Sequence, residues 1–492
     1  MNVPPPTHVS AGAEASTALR NASSVVAQRV FQIAIGVVFA LLIPRLMGPE
    51  VFGQYALVTS ISLWFALLSG LGAASMMTRS VPEFVMRGDG AGLRKFVSSL
   101  LVLRLATGVV AGVLYLALTM FWLRDFDVVA LAFMAGAVLC RTTANICFAL
   151  FLGLNQAGRW AMGDVLRRAL MLVFVLIGFN VAGLRGACAA WFAAEVVVLV
   201  VGVWMSREHI CWSAMWPDRQ FLLPYLRTGA YFAGGNMLLA VSQRTGESLV
   251  HLTTRSFAEV GYYGVAYGMY AAGTQALWHT AAAFAPMLIL WNARGEVAAA
   301  REWLERLQAW LTVGAVTGVI VVLLAGDLVV ARLLGPEYLP ASRNLAPLAI
   351  AFVSVAFSSV GRLQALVVDL PGVSAKAAGV ELVTFWTTGL VLATGAGSFG
   401  ACLAVLAGAT VNAAYLAWRL RGEHTYSHRP AVHAGLLALP VLPLAWFHAS
   451  WPIELLLLAV AVAGYAALVL GTRVVTVGEL AALRRSLRMR TR

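Results

Sequence analysis

Between residues 236 and 251 the sequence sets Asn236, Gln243, Arg244, Glu247 and His251 at steps of three, four and seven inside an apolar run. On a helix this spacing gathers most of them on one face. Arg244 carries a planar fork of donors suited to phosphate or carboxylate oxygens. Two readings stay open: Arg244 and Glu247 pair internally, or Arg244 attracts a diphosphate or an acidic sugar while Glu247 orients it.

The next apolar stretch carries Tyr267, Tyr270, Thr274, Gln275, Trp278 and His279. Tyr267, Tyr270, Thr274 and Trp278 follow helical spacing, and such a stripe offers stacking and hydrogen bonding suited to sugar rings. Trp278 taken alone reads equally well as an interfacial anchor. Earlier in the chain, Arg104 lies in one apolar run, and Arg141 and Asn145 stand one turn apart in the following one. Later, Ser358, Arg362 and Asp369 fall on one helical face, with Arg362 able to pair with Asp369 or with another helix. Ionisable groups within a membrane are costly unless they face a cavity or a partner, so each is a candidate for function. Glu195, Glu247, Asp327, Asp369 and Glu381 could bind H+ or Na+ as a coupling ion, or be locked as structural partners of nearby arginines.

The elements that must hold these groups are legible from composition. The chain is 60% hydrophobic and 12% charged, with a mean hydropathy of +0.82. A soluble chain carries about twice that charge, so lipid must be the solvent for much of this one. A bilayer core of roughly 30 Å needs about 20 helical residues to cross. Interruptions at charge clusters and Gly/Pro turns predict fourteen spans, near 25–44, 52–76, 97–121, 126–152, 160–180, 184–206, 220–250, 262–290, 306–331, 341–369, 374–395, 398–419, 431–447 and 451–471. The expected fold is therefore all-α, a polytopic membrane protein of about fourteen transmembrane helices.

Charge placement orients the spans. With a cytoplasmic N-terminus, the inner segments hold Arg79, Arg87, Arg94 and Lys95, then Arg159, Arg167 and Arg168, Arg207 and Arg219, Arg294, Arg301 and Arg306, Lys376, and Arg419, Arg421 and Arg429. The outer segments hold mostly single positives such as Arg45, Arg124, Arg185 and Arg255, with Arg332 and Arg343 the densest pair. The net charge of +13 reads as membrane orientation rather than nucleic-acid binding. Residues 1–24 read as a flexible cytoplasmic tail without signal-peptide character. Residues 472–492 form a basic cytoplasmic tail whose ELAALRRSLRMRTR segment suits anchoring to anionic membrane lipids.

Several chemistries find no footing. There is no Walker loop, no GxGxxG after a strand, no HExxH and no GxSxG. The five cysteines form no CxxC or Cys/His ligand cluster. Neither a cofactor nor a metal is expected, and no inter-span loop much exceeds about 20 residues, by the span lengths a bilayer requires. Whatever the protein does, it does between helices, and an enzyme is not expected.

An internal repeat points to transport. EVFGQY at 50–55 resembles EVGYYG at 259–264, pairing Gly53 with Gly261 and Tyr55 with Tyr263 at an offset of 208. Each hinge opens a span and is followed by an inner basic stretch, SVPEFVMRGDGAGLRKF or WNARGEVAAAREWLERL. This predicts two pseudo-symmetric lobes around a central cavity, at 25–206 and 220–419, six helices each, with a final helix pair at 431–471. In the first hinge, IPRLMGPEVFGQYAL, Pro44 ends a helix, Gly48-Pro49 makes an exposed turn, and Arg45 and Glu50 sit at the outer water boundary.

PRLMGPEVFGQYAL followed by GLGAASMMTRSVPEF resembles the polysaccharide-export flippases, relatives of the multidrug extruders and the lipid II flippase. VGYYGVAYGMYAAGTQALWHTAAAFAPML and VVARLLGPEYLPASRNLAPLAI are similar to that family's seventh-to-eighth span region and ninth-to-tenth junction. The resemblance covers roughly residues 22–445. It implies an inner-membrane protein with both termini cytoplasmic and a cationic cavity. It also implies passage of an undecaprenyl-diphosphate-linked glycan from the cytoplasmic to the periplasmic face, beside a glycan polymerase or export complex. The competing function is an ion-coupled drug or metabolite antiporter of the same superfamily, which a positively lined cavity disfavours for cationic drugs. A membrane glycan polymerase or ligase would need a large periplasmic loop that is missing.

Overall fold

The computed structural model describes residues 11–70, 72–124, 126–211, 244–422, 426–441, 443–444, 451–472 and 474, and every regular element among them is helical. The helices are α1 (Ala11–Leu68), α2 (Ala73–Met86), α3 (Gly90–Trp122), α4 (Val128–Gly153), α5 (Ala157–Ser206), α6 (Gly246–Thr254), α7 (Phe257–Ala282), α8 (Ala285–Ala293), α9 (Val297–Leu333), α10 (Leu339–Val367), α11 (Pro371–Arg419), α12 (Arg429–Leu436) and α13 (Trp451–Gly471). Eight of the described helical segments are long and apolar enough to cross a bilayer. The chain is thus an all-α polytopic membrane protein.

Two of the longest helices are hairpins without loops. A straight helix of 50 residues would extend roughly 75 Å, more than twice a bilayer core. α5 instead breaks at Ala182 (φ −140, ψ 25) and Gly183 (φ 57, ψ −139), and α11 breaks at Gly397 (φ 56, ψ −136). Positive φ combined with such negative ψ is open to glycine and strained for residues that carry a side chain. In α5, Gly178 lies against Gly186; in α11, Leu392 lies against Gly400 and Glu381 against Gly408. The arms of each hairpin therefore run antiparallel, and each hairpin supplies two crossings.

Left-handed backbone positions recur along the chain. Gly88 (φ 66) and Gly295 (φ 76) follow the ends of α2 and α8, 207 positions apart (88 to 295). Asn155 (φ 59) and Asp369 (φ 56) precede the two hairpins 214 apart (155 to 369), and Gly183 and Gly397 turn them at the same step of 214. The halves thus repeat in backbone geometry where side chains have diverged.

Several expected spans differ in their ends. The first helix already begins at Ala11, within the stretch expected to be a tail. The second span, expected to be continuous over 52–76, stops at Leu68 and resumes at Ala73, because Gly72 takes φ 70. The span at 262–290 is divided into α7 and α8, where Pro286 lacks the N–H that continuation needs. Among the described residues of the span at 431–447, the α-helix ends at Leu436 in α12, and turns follow through Pro440. Most of the span at 220–250 and of the tail at 472–492 lies outside the described residues.

By contacts the chain forms two units, one of residues 1–39 and 58–237, the other of 40–57 and 238–492. In the first, Met77, Val81, Phe96, Leu100 and Leu150 join α2, α3 and α4 in a fully buried core. In the second, Leu304, Leu307, Leu363 and Val360 pack α9 on α10, while Tyr465 of α13 buries against α9 and donates to the Ala434 carbonyl at 2.9 Å. Residues 40–57 belong to this second unit although they precede most of the first in sequence. Tyr338 fixes them, its hydroxyl donating to the Pro44 carbonyl at 2.9 Å.

That first hinge is also less exposed than its sequence implies. Pro44 is buried and Gly48-Pro49 half-buried, while Arg45 and Glu50 do face outward. Gly48 (φ 70) kinks α1 there. Gly53 crosses α7 so closely that a Cβ would overlap the Phe257 carbonyl, and a Cβ on Gly261 would overlap the Pro49 carbonyl.

Candidate functional site

In the first unit, α4 and the two arms of α5 bring five polar side chains together. Arg141 donates through Nη1 to Glu195 Oε1 at 2.8 Å, and Arg167 donates through Nε to Glu195 Oε2 at 3.1 Å. Arg167 also donates to Asn145 Oδ1 at 2.9 Å and to Asp164 Oδ1 at 3.1 Å. Glu195 is wholly buried, and each of its oxygens accepts from a guanidinium, the pairing that a buried carboxylate needs. The Arg141 side chain keeps a quarter of its surface exposed (25%), whereas Arg167 keeps 8%. Arg141 is thus presented by a fixed buried anion.

Arg104 on α3 is 4% exposed and shares no hydrogen bond with the side chains of this cluster. It donates to the Ser69 carbonyl and to the Thr142 carbonyl, the latter at 3.3 Å. A cation at the frayed carbonyl end of α1 is favourably placed.

In the second unit, α6 and α7 pack through Gly246, whose missing side chain admits the Tyr263 ring. Tyr263 stacks on Tyr267 with centroids 5.3 Å apart, and Tyr267 meets Tyr270 at 5.6 Å. The tyrosine ladder runs along one face of α7. Across from it, Arg362 of α10 donates to Glu381 Oε2 at 3.3 Å, and Asn412 donates to the same oxygen. The Tyr267 hydroxyl lies within electrostatic reach of Glu247 and Glu381, and Tyr270 within reach of Glu381 and Arg362. Glu247, the ladder, Arg362, Glu381 and Asn412 therefore form one polar seam.

The remaining expected residues are placed as follows. Arg244 is exposed and precedes α6 instead of lying inside a helix with Glu247. Glu247 is 8% exposed, and its Oε2 has no hydrogen-bond partner among the described residues. His251 stacks on Phe257 at 4.9 Å. Gln275 is exposed and Trp278 half-buried, both further along α7 than the seam. Thr274 bonds back to the Ala271 carbonyl at 2.9 Å. Asn236 and Gln243 lie outside the described residues. Asp369 falls past the end of α10 and is exposed, so the partner of Arg362 is Glu381.

Among the five acids considered for ion coupling, Glu195 and Glu381 are held by arginines, and Asp327 and Asp369 are exposed. Glu247 differs from all four: it is buried, and its Oε2 meets no donor among the described residues. No group of three or more His, Cys, Asp or Glu among the described residues is placed to hold a metal ion.

Arg167 and Asn412 belong to the site without standing out in the sequence as cavity residues, and Glu381 stands there only as a candidate for ion coupling or for pairing with an arginine. Arg167 reads there as one of the inner positive charges, yet it is buried against Glu195. The hairpin repeat carries a usable signal: Arg167 and Glu381 are 214 positions apart (167 to 381), the step that relates Gly183 to Gly397. The same place in each hairpin holds a charge, with the sign reversed.

The sequence family described as "Polysaccharide biosynthesis protein" matches residues 18–289. No curated protein matches the chain in sequence. Among solved structures, a lipid II flippase MurJ in an inward closed conformation superimposes with a TM-score of 0.66 at 12% identity, covering 91% of this chain and 98% of that one. An inward-facing multidrug resistance MATE family transporter of the MOP superfamily gives 0.64 at 17% identity, covering 80% and 94%. A point mutant of the Vibrio cholerae MATE transporter VcmN gives 0.54 at 13% identity, covering 83% and 99%. These likenesses establish that the chain shares the fold of those solved structures.

Proposed function

Because this chain belongs to the polysaccharide biosynthesis protein family, we propose that it flips undecaprenyl-diphosphate-linked oligosaccharide repeat units from the cytoplasmic to the periplasmic leaflet. The units would feed O-antigen, exopolysaccharide or capsule synthesis. The observation that carries this reading is the family match over residues 18–289, on a fold shared along 91% of the chain with a lipid II flippase.

The geometry supports it in two ways. Partly exposed Arg141, braced by buried Glu195, and Arg362, braced by Glu381, offer guanidinium donors to a diphosphate without paying for fresh ordering. The ladder of Tyr267 and Tyr270 beside Arg362 offers ring faces and hydroxyls to a glycan. Arg244, exposed at the mouth of α6, adds a third cation. Fourteen helices in two lobes with cytoplasmic termini, working by alternating access, is the arrangement consistent with the repeated hairpins and the positive-inside charges.

Coupling would fall to Glu247. A buried carboxylate with an oxygen left without a donor is expensive when ionised, so uptake of H+ or Na+ at this position changes the energy of the seam most. The fold likeness to MATE transporters keeps ion-coupled drug or metabolite antiport as the competing function. Reconstituted protein tests the two: translocation of a labelled lipid-linked oligosaccharide supports the flippase, and uptake of organic cations without glycan translocation supports the antiporter.

A further inference from the structure

At the end remote from their turn, the two arms of the α11 hairpin share one buried cluster through Val373, Ala377 and Leu416. There they leave a groove of about 460 Å³ lined by Lys376, Gly379, Val380, Val383, Thr384 and Tyr415. Lys376 is exposed and has no ion pair or hydrogen bond among the described residues, and Val383 is 63% exposed. The depth of the groove follows from the helix rise. Lys376 and Tyr415 stand roughly 30 Å and roughly 27 Å along their arms from Gly397, at about 1.5 Å per residue. That is the thickness of a bilayer core, so the cation sits at headgroup level in the leaflet opposite the turn. Gly379 lines the groove beside Val380 and Val383 and contributes no side chain to it. Tyr415 meets Trp418 edge-to-face at 5.9 Å, and Arg419 lies over the Trp418 ring, marking an aromatic and cationic rim at the same level.

We infer that this groove is a binding site for one anionic phospholipid, with its phosphate at Lys376 and the upper part of an acyl chain over Gly379, Val380 and Val383. The apolar wall is a surface that water cannot favourably fill and lipid must cover. The unpartnered ammonium selects a net-negative headgroup over a zwitterionic one. Thr384 lies at the deeper end, where its hydroxyl can satisfy itself on its own helix. The groove shares no lining residue with the seam proposed to carry the glycan, although Glu381 and Asn412 lie on the same two arms, and its existence does not depend on what the protein transports.

The test is native mass spectrometry of the full-length protein after delipidation and incubation with mixed micelles of dioleoyl phosphatidylglycerol and dioleoyl phosphatidylcholine. Wild type should retain one phosphatidylglycerol in preference to phosphatidylcholine. Lys376→Ala should weaken that retention at least tenfold, Lys376→Arg should preserve it, and Gly379→Leu should abolish it by filling the groove. Arg294→Ala, which removes an exposed cation elsewhere, should bind as wild type does. Lys376→Ala changes only an exposed side chain, so its folding is not at stake even where that of Gly379→Leu is. Equal retention by wild type and Lys376→Ala, or equal retention of the two lipids, would each overturn the inference.

Discussion

Gly53 and Gly261 cross at backbone distance, each lying against the carbonyl of the residue four positions before the other, Phe257 for Gly53 and Pro49 for Gly261. The contact is reciprocal under the same offset that relates EVFGQY to EVGYYG. A pair of equivalent residues thus meets across a local two-fold, the geometry expected where two copies of one ancestral element pack on each other.

No side chain fits at this crossing. Gly53→Ala or Gly261→Ala should lower thermal stability in detergent by about 1–3 kcal/mol or more, the usual cost of overpacking. Gly268→Ala on the same helix α7 has open space around it and should be neutral or slightly stabilising. Thermal unfolding of the three variants side by side checks this.

Glu195 carries two arginines on a wholly buried carboxylate. Glu195→Gln leaves both guanidiniums short of their counter-charge and should destabilise the protein by about 3–5 kcal/mol, as breaking a buried pair does. Arg141→Met, which removes a side chain that is partly exposed, should cost less in stability than Glu195→Gln. The comparison is read from unfolding midpoints at constant detergent and pH.

The opposite charges at Arg362 and Glu381 should be exchangeable in part. Arg362→Glu and Glu381→Arg should each reduce folded yield, while the double variant recovers some of it, because the pair interacts across two helices. Coupling close to zero in this double-mutant cycle would show that the two charges act independently.

Just before the apolar helix that begins at Val128, Asp127 accepts from Arg185 Nε at 2.6 Å and caps α4 by accepting from the Val129 amide at 3.0 Å. The hydrogen bond from Arg185 holds the Asp127 carboxyl below its ordinary range, assisted by the Val129 amide. A depressed folded-state pKa stabilises above the unfolded-state value and is lost as pH falls through the folded-state one. The gap in melting temperature between wild type and Asp127→Asn should therefore close as pH drops from about 7 to about 3. A gap that widened on acidification would contradict this.

Sequence periodicity disclosed the helices and the Gly53/Gly261 repeat because both depend on local backbone demands. It did not disclose which charge meets which. Arg362 and Asp369 share a helical face on paper, yet α10 ends at Val367 and the partner arrives from α11. Arg167 looks like one more inner positive charge, because neighbouring Arg159 and Arg168 carry the same signal and only the α5 fold-back brings Glu195 to it. Spacing fixes the face of a helix, and tertiary packing alone fixes what that face touches. The second span ends earlier than its apolar run implies for a similar reason, since Gly72 could either continue a helix or, as it does, break it at φ 70.

The most direct test of the proposed function is translocation in proteoliposomes. Purified protein is reconstituted with a fluorescent undecaprenyl-diphosphate-linked oligosaccharide, and exposure at the opposite leaflet is scored with a membrane-impermeant probe. Wild type should accelerate exposure over protein-free vesicles, and neutralising Arg141, Arg244 and Arg362 together should remove the acceleration while the protein stays inserted. Wild-type vesicles that expose the glycan no faster than protein-free ones, or a triple variant as fast as wild type, would contradict a flippase that works through these cations.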